Sequence, residues 1–108
     1  MLDITDAADG QTVITTFEMT PGTCADVLDA LRDAYDAVIR HQPGFLGAAL
    51  HVNDAQTRIA TYSRWVRRED FQAMLRTHEM RTRNRAIAAM CARFEPVMYD
   101  VAAVVTPA

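Results

Sequence analysis

Hydrophobic residues alternate with polar ones, or run together, along four short stretches of the chain. In TVITTFEM, Val13, Thr15, Phe17 and Met19 fall on one side, and a period of two is typical of a strand. Similar patterns predict strands over residues 12–19, 45–52, 57–66 and 97–105. Only NDAQ separates the second strand from the third, so these two are expected to form a hairpin.

Apolar residues at helical spacing lie between the first strand and the second. Aspartates occupy the positions between them, as on the outer face of an amphipathic helix. Thr23 and Asp26 resemble a capping box at the start of this helix, with Asp in place of the usual Glu. Pro43 in HQPG is expected to end it. The apolar stripe consists of Val27, Leu28, Leu31, Tyr35, Val38 and Ile39.

A second helical region lies between the third strand and the fourth. It is expected to begin near Arg68, to break near Thr77 and to continue to Cys91. Pro96 is expected to close it, because proline disfavours helical geometry at the residue before it. The apolar face of its first part consists of Phe71, Met74 and Leu75.

The resulting order is β-α-β-β-α-β, the ferredoxin-like plan of an α+β fold with a four-stranded antiparallel sheet and both helical regions on one face. Residues 12–108 are predicted to form this single domain, after a flexible N-terminus over residues 1–11. The second and fourth strands carry apolar residues on both sides, so the other sheet face also needs cover. A second copy related by two-fold symmetry is the simplest cover, and we expect a homodimer.

Composition narrows the class of partner. The formal net charge is −3, which is not the balance of a nucleic-acid-binding protein. No apolar run approaches ~18 residues, and MLDITDAADG lacks the basic segment of a signal peptide, so no membrane span or secretion is predicted. Cys24 and Cys91 lie far apart and are interpreted as free thiols of a cytoplasmic protein, not as a disulfide or metal site.

All eleven basic residues are arginine, and eight of them fall between Arg64 and Arg93. One interpretation is a solvated helix face. The other is that one or two guanidinium groups point inward to hold an anionic ligand. The residues alone leave both open.

Three segments, PGFLGAALHV, RIATYSRW and EDF, together resemble the antibiotic biosynthesis monooxygenase superfamily of dimeric α+β barrels. In that superfamily a Pro-Gly-Phe segment opens the second strand. A tryptophan ends the third, just before a helix with an aromatic residue. The resemblance covers residues 12–105 and implies that Trp65 lies on the sheet face that meets the helices, where such proteins hold their substrate cavity.

The most similar subset is the small, cofactor-free oxygenases that convert anthrone-type polyketides to quinones. This resemblance makes Trp65, Arg85, His51 and His78 the candidate catalytic residues. Trp65 would supply a flat apolar wall and an indole N–H. Arg85 would stabilise the substrate anion, and one of the two histidines would accept its proton. No cofactor or metal is expected; the expected partners are an aromatic small molecule and O₂.

The predicted substrate-binding residues are Thr61, Ser63, Phe71 and Met74. Thr61 stands where the subset has an asparagine on its third strand and can still donate a hydrogen bond. Phe71 stands where the subset has a helix tyrosine, so a hydroxyl is missing there. A polar-decorated cavity is expected beside Trp65, because buried hydroxyl groups need partners.

Three alternatives stay open. Haem degradation on the same barrel needs a histidine and an asparagine where this chain has Asn84 and Thr15, and His78 lies six residues before Asn84. A polyketide cyclase also begins with an enolate and is poorly separated by sequence. A non-catalytic small-molecule-binding or stress-response barrel is favoured by the loss of the hydroxyl at Phe71.

Overall fold

The structure is a computed structural model that describes residues 10–108. Its strands are β1 (Gln11–Glu18), β2 (Phe45–Val52), β3 (Arg58–Trp65) and β4 (Arg93–Tyr99). Its helices are α1 (Pro21–Ala37), α2 (Arg68–Arg76) and α3 (His78–Ala89), and a 3₁₀ turn over Ile39–His41 follows α1. The predicted flexible N-terminus falls mainly on residues 1–9, which lie outside the described residues.

The four strands form one antiparallel sheet in the order β2-β3-β1-β4. In the central pair, Thr61 of β3 lies opposite Thr15 of β1, and Ser63 lies opposite Val13. The ferredoxin-like α+β fold predicted from the sequence is confirmed. The central strands β1 and β3 position the residues of the candidate site.

The helices cover one face of the sheet. Helix α1 buries side chains three and four residues apart, which places them on one stripe of the helix. Two groups of buried side chains fill the space between helices and sheet. We call the first the Trp65 cluster: Val13, Ala34, Val38, Ile39, Trp65, Phe71, Met74 and Met80. The second contains Phe17, Met19, Cys24, Val27, Leu31, Ile59 and Ile87.

Helix α1 begins in a different way from the one predicted. Thr20 is the N-cap residue, without a side-chain capping bond, and Pro21 is the first helical residue. Proline suits that position because its φ is already helical and its missing N–H would have no partner. Thr23 Oγ1 lies 3.3 Å from the carbonyl oxygen of Thr20 and 3.4 Å from that of Met90. The predicted capping box of Thr23 and Asp26 is therefore wrong.

The predicted break in the second helical region is confirmed at Thr77. This residue leaves the helical conformation, with φ −62° and ψ 144°. Its hydroxyl donates to the carbonyl oxygen of Met74 at 2.9 Å and accepts from the backbone N–H of Met80 at 3.3 Å. One threonine thus joins the end of α2 to the start of α3, both of which pack on Trp65 through the Trp65 cluster.

The last strand lies earlier than predicted. Helix α3 ends at Ala89, and Pro96 lies within β4, opposite Thr15 of β1. Strand β4 is at the edge of the sheet, where a residue without an N–H group is tolerated. The strand predicted over 97–105 therefore runs from Arg93 to Tyr99, and residues 100–108 contain no strand.

A tight corner at Gly44 explains the Pro-Gly-Phe segment. Gly44 has a φ of +81°, and a Cβ at this position would collide with the side chain of Asp70. Its carbonyl oxygen accepts a hydrogen bond from the backbone N–H of Val66 at 2.8 Å. Only glycine combines a positive φ with this close approach. The corner fixes Phe45 beside the end of β3, where Trp65 lies.

The sheet face away from the helices is apolar near its centre. Ile14, Tyr62 and Val97 lie side by side across β1, β3 and β4. Val97 is 36% exposed, and Tyr99 in the same strand is 48% exposed. A second copy of the chain would cover these side chains, and the homodimer stays a prediction.

The helices and the cysteines of the described residues bear on two predictions, the lack of a membrane span and the free thiols. Among residues 10–108, none of the helices is both long enough and apolar enough to cross a bilayer. Cys24 is buried and Cys91 is half-buried, and both are free thiols, as predicted. Burial raises the pKa of the Cys91 thiol, since the thiolate is poorly solvated there.

Candidate active site

Three residues of the predicted site lie together at the end of β3. Thr61, Ser63 and Trp65 alternate along the strand, so all three point toward the helices. Thr61 and Ser63 are each 3% exposed, and Trp65 is fully buried. The indole Nε1–H of Trp65 donates to Ser63 Oγ at 3.1 Å. The sequence thus places two hydroxyl groups and an indole N–H in a region that is otherwise apolar.

Aromatic rings enclose Trp65 on two sides. The ring of Phe45 lies 5.3 Å from the indole and that of Phe71 lies 5.7 Å away, both in edge-to-face geometry. Met74 is buried in the same cluster. The structure therefore brings Phe71 and Met74 to Trp65, where the sequence predicted them. Phe71 contributes only its ring here, in edge-to-face contact with the indole, since it has no polar group to offer.

Tyr35 is a residue of the candidate site that sequence reasoning missed. It projects from α1 toward β3, and its hydroxyl group lies near the hydroxyl groups of Thr61 and Ser63. Its ring centre lies 6.2 Å from that of Phe45. Burial raises the pKa of Tyr35 above its ordinary value of 10.0, and the interactions with Thr61 and Ser63 offset part of that rise. At neutral pH this phenol is therefore protonated.

A broad cavity of about 690 Å³ opens beside Tyr35, between α1 and β2. Tyr35, Phe45, Ala48 and Leu50 form its inner wall. Its volume lies in the range of roughly 300–1,000 Å³ that is usual for small-molecule sites. Five charged side chains of α1 and the turn after it line the rest: Asp29, Arg32, Asp33, Asp36 and Arg40. The cavity is thus apolar next to the Trp65 cluster and charged toward solvent.

Three ion pairs lie on or next to the charged side of this cavity. Arg40 contacts Asp36 at 3.1 Å, with both side chains well exposed. Arg83 of α3 contacts Asp33 at 2.7 Å and Glu79 at 3.3 Å. These carboxylates, Asp33 first, raise the pKa of Arg83, so this arginine is occupied in holding α3 to α1.

Arg85 lies in a different place from the Trp65 cluster. It lines a second cavity of about 440 Å³, next to Arg81 and Asn84 on α3. Leu75 and Phe94 form apolar parts of this second cavity, and Leu75 also packs against the Trp65 cluster. Arg85 is therefore not among the residues that line the first cavity.

Neither histidine of the prediction lies in the Trp65 cluster. His51 pairs with Ala60 and is exposed on the sheet face away from the helices. Strict alternation from Phe45 would turn position 51 toward the helices, but an irregularity between Phe45 and Gly47 reverses the alternation. His78 is exposed at the first position of α3.

The described residues provide no cluster of metal-ligating side chains. Among residues 10–108, no three His, Cys, Asp or Glu side chains come close enough together to hold a metal ion. The polar groups around Trp65 are neutral hydroxyls and an N–H, which are not the donors that a divalent metal prefers. What they can do is donate hydrogen bonds to an oxygen atom of a bound molecule.

Comparison with known proteins identifies the family. A sequence profile described as antibiotic biosynthesis monooxygenase matches residues 11–86, which include β1 to β3 and the first two helices. The chain belongs to the antibiotic biosynthesis monooxygenase family. It is also 30% identical over 74 residues to tetracenomycin-F1 monooxygenase of Streptomyces glaucescens. That match covers 68% of this chain and 66% of the relative, slightly less than two thirds of the relative's length.

Solved structures of family members share the fold along most of the chain. The ActVA-Orf6 monooxygenase of Streptomyces coelicolor, solved in complex with nanaomycin D, superposes with a TM-score of 0.82 at 19% identity and covers 99% of this chain and 100% of its own. SnoaB of Streptomyces nogalater, a cofactor-independent oxygenase, superposes with a TM-score of 0.73 at 17% identity and covers 93% of this chain and 100% of its own. At these identities the likeness is one of fold. The family resemblance seen in the sequence is confirmed.

Proposed function

We propose that this protein is a monooxygenase of aromatic polyketide biosynthesis that oxidises an anthrone-type phenol to a quinone with O₂ alone. The observation that carries the proposal is the group of hydroxyls beside Trp65. Tyr35, Thr61 and Ser63 place three hydroxyl groups near an indole N–H, and Tyr35 lines the inner wall of a cavity of about 690 Å³. Buried polar groups of this kind are costly in an apolar core unless they have partners, and they are common in ligand sites.

The relatives support the same class of reaction. Tetracenomycin-F1 monooxygenase and SnoaB are oxygenases, the latter cofactor-independent, and the monooxygenase ActVA-Orf6 was solved with the ligand nanaomycin D. A polyketide-derived aromatic ring system fits an inner wall made of aromatic and aliphatic side chains. The charged rim between α1 and β2 would then face the polar edge of the substrate.

An anthrone-type substrate carries all the electrons that the reaction needs. Its CH₂ group becomes C=O, so the carbon loses four electrons and O₂ accepts four. One oxygen atom stays on the carbon and the other leaves as water. Loss of a proton gives an enolate that transfers one electron to O₂, the two radicals join at carbon, and the resulting hydroperoxide loses water. The protein has to supply a dry pocket, a proton acceptor and hydrogen-bond donors near the anion.

The roles of individual residues are part of the proposal. Trp65 provides the apolar backing of the cavity wall, and the hydroxyls of Thr61 and Ser63 support Tyr35, which lies between them and the cavity. Arg85 is proposed to stabilise the anion from the side of the second cavity, across Leu75. His51 and His78 are proposed as proton acceptors; since neither lies in the Trp65 cluster, the proton would reach them through solvent.

A binding role without chemistry is the second candidate. The ring of Phe71 meets Trp65 edge to face and carries no hydroxyl, and Trp65 itself is fully buried in this structure. A protein that sequesters an aromatic molecule needs the cavity and not the donors. Such a protein would bind an anthrone and leave its oxidation rate at the value in buffer.

Aerobic incubation with a dihydroxyanthrone tests the proposal. Quinone formation is followed by absorbance, with heat-denatured protein as the control for spontaneous oxidation. Thr61→Val removes a buried hydroxyl at nearly constant shape and should lower the rate by at least several-fold. Thr16→Val makes the same change on the opposite sheet face and should leave the rate unchanged. Equal rates with and without native protein would contradict the proposal.

A further inference from the structure

Tyr35 reaches the centre of the site from an element that the sequence pattern treats as plain core. It lies four residues after the buried Leu31 of α1 and next to the buried Ala34. Its ring is held at the edge of the Trp65 cluster, against Phe45. From there the hydroxyl group crosses to the helix-facing side of β3. The phenol is thus positioned by packing from α1 and β2 before any ligand arrives.

The polar groups around Tyr35 carry more hydrogens than the hydrogen bonds within the group can account for. Tyr35, Thr61, Ser63 and the Trp65 indole contribute four polar hydrogens. Among residues 10–108, one hydrogen bond connects members of this group: Trp65 Nε1–H donates to Ser63 Oγ at 3.1 Å. Within residues 10–108, at least one of these hydrogens therefore has no acceptor inside the group. An oxygen atom entering from the cavity would supply that acceptor.

The position of Tyr35 makes it the member of this group that a ligand meets. Tyr35 lines the cavity of about 690 Å³, whereas Thr61, Ser63 and Trp65 lie behind it, each 3% exposed or less. Burial keeps the phenol protonated at neutral pH by raising its pKa. A protonated phenol donates a hydrogen bond and does not act as a base. Thr61 and Ser63 can accept or donate in turn, which lets the hydroxyl of Tyr35 reorient.

We propose that Tyr35 is a catalytic hydrogen-bond donor, whose hydroxyl binds the anionic oxygen of an aromatic substrate lying in the cavity between α1 and β2. This inference rests on the proposed function and deepens it by naming the wall of the cavity that the substrate oxygen faces. Donation to the enolate oxygen stabilises the charge that forms when the substrate loses its proton. Thr61 and Ser63 then act as positioning residues that orient the phenol from behind.

Tyr35→Phe removes the hydroxyl and keeps the ring against Phe45. The variant should lower kcat for a dihydroxyanthrone by roughly 10²-fold, the usual effect of deleting one donor to a developing anion. Tyr62→Phe is the matched control, because Tyr62 faces away from the helices, and it should keep the wild-type kcat. A Tyr35→Phe variant with wild-type kcat would overturn the inference.

A binding measurement separates this inference from the proposed reaction. Trp65 is the only tryptophan in the chain, so quenching of its fluorescence reports a bound hydroxyanthraquinone whether or not turnover occurs. Tyr35→Phe should weaken that binding by several-fold relative to wild type and to Tyr62→Phe. Equal affinities would overturn the role of Tyr35 even if the wild-type protein is an oxygenase. Weaker binding without any wild-type turnover would support Tyr35 and refute the oxygenase.

A fluorine label tests the contact even if Tyr35→Phe folds poorly. The variant Tyr62→Phe/Tyr99→Phe leaves Tyr35 as its single tyrosine, and it can be produced with 3-fluorotyrosine. Saturating hydroxyanthraquinone should shift the one ¹⁹F resonance. A resonance that stays in place while Trp65 fluorescence reports saturation would overturn the inference.

Discussion

The hydrogen bond from Trp65 to Ser63 gives a prediction that the structure makes quantitative. Ser63→Ala removes the acceptor and leaves the Nε1–H of a fully buried indole without a partner. An orphaned buried donor costs about 1–3 kcal/mol. Trp65→Phe removes the donor and leaves a smaller ring between Phe45 and Phe71, which should cost about 2 kcal/mol, less than the ~3–5 kcal/mol of a Trp→Ala change.

The double variant distinguishes a real hydrogen bond from simple packing. Once Trp65 is Phe, no indole N–H remains to be orphaned by Ser63→Ala. The free energy of unfolding should therefore fall by about 1–2 kcal/mol less in the double variant than the sum of the single changes. Ser63→Thr keeps a hydroxyl acceptor and serves as the control for handling position 63.

Urea unfolding followed by far-ultraviolet circular dichroism is the suitable assay, because Trp65→Phe removes the only tryptophan fluorescence. All variants have to be compared at one protein concentration, since the stability of an oligomer depends on it. Additivity of the two single changes to within about 0.5 kcal/mol would refute the reasoning. The N–H of Trp65 would then contribute nothing through Ser63, and its presence in the site would lose its structural explanation.

Three further predictions concern the corner, the phenol and the open sheet face. Gly44→Ala should lower the free energy of unfolding by about 2 kcal/mol or more in thermal melts, because the new side chain combines a positive φ with a collision at Asp70. Gly22→Ala is the control: its Cβ would meet Thr20 Oγ1 at 3.8 Å, so the change should be neutral or stabilising. Stability should fall as the pH rises past ~10, the ordinary phenol pKa, because the raised pKa of Tyr35 lets the unfolded state ionise first; Tyr35→Phe should lose less stability there, and an identical alkaline profile would contradict this. Light scattering should give the mass of a homodimer at micromolar concentration, because Val97 and Tyr99 are 36% and 48% exposed on an apolar face, and a monomer mass would remove the argument.

The first three strands and the helix start near Arg68 follow from local patterns. Strands β1 and β3 have one face on the helices, so their alternation reflects two different environments and their bounds are predicted to within a residue or two. The bounds of the last strand could not be predicted in this way. Pro96 indicates the end of a helix or strand unless the strand is known to lie at the edge of the sheet, as β4 does. Edge position depends on the order of all four strands, which no local pattern contains.

In the candidate site, too, only the residues that follow from a local pattern are placed correctly. Thr61, Ser63 and Trp65 lie on one strand, so alternation alone places them on one face. The direction in which His51 points depends on the irregularity between Phe45 and Gly47. Gly47 lies opposite Arg64, so the later side chains of β2 face the other side of the sheet from the one that strict alternation predicts. An ungapped count along the chain does not contain that extra residue.

Tyr35 could not be recognised because its partners belong to another element. Within α1 it continues an apolar stripe, and a tyrosine there is consistent with ordinary core. A role for its hydroxyl can be recognised only from the packing of α1 on β3, which brings Tyr35 near Thr61 and Ser63. One signal was available: the hydroxyls on the helix-facing side of β3 require polar partners, and Tyr35 offers a phenol on the facing stripe of α1.

Labelling with ¹⁸O₂ tests the proposed oxygenase most directly. Metal-free, flavin-free protein is given a dihydroxyanthrone under ¹⁸O₂, and the quinone is analysed by mass spectrometry against a control without protein. We predict quinone formation well above the control rate, one ¹⁸O atom in each product molecule and one O₂ consumed per quinone, with the rate lowered in Trp65→Phe and Arg85→Gln. Formation at the control rate, or activity that requires an added metal or flavin, would contradict oxygenation by O₂ alone in this fold.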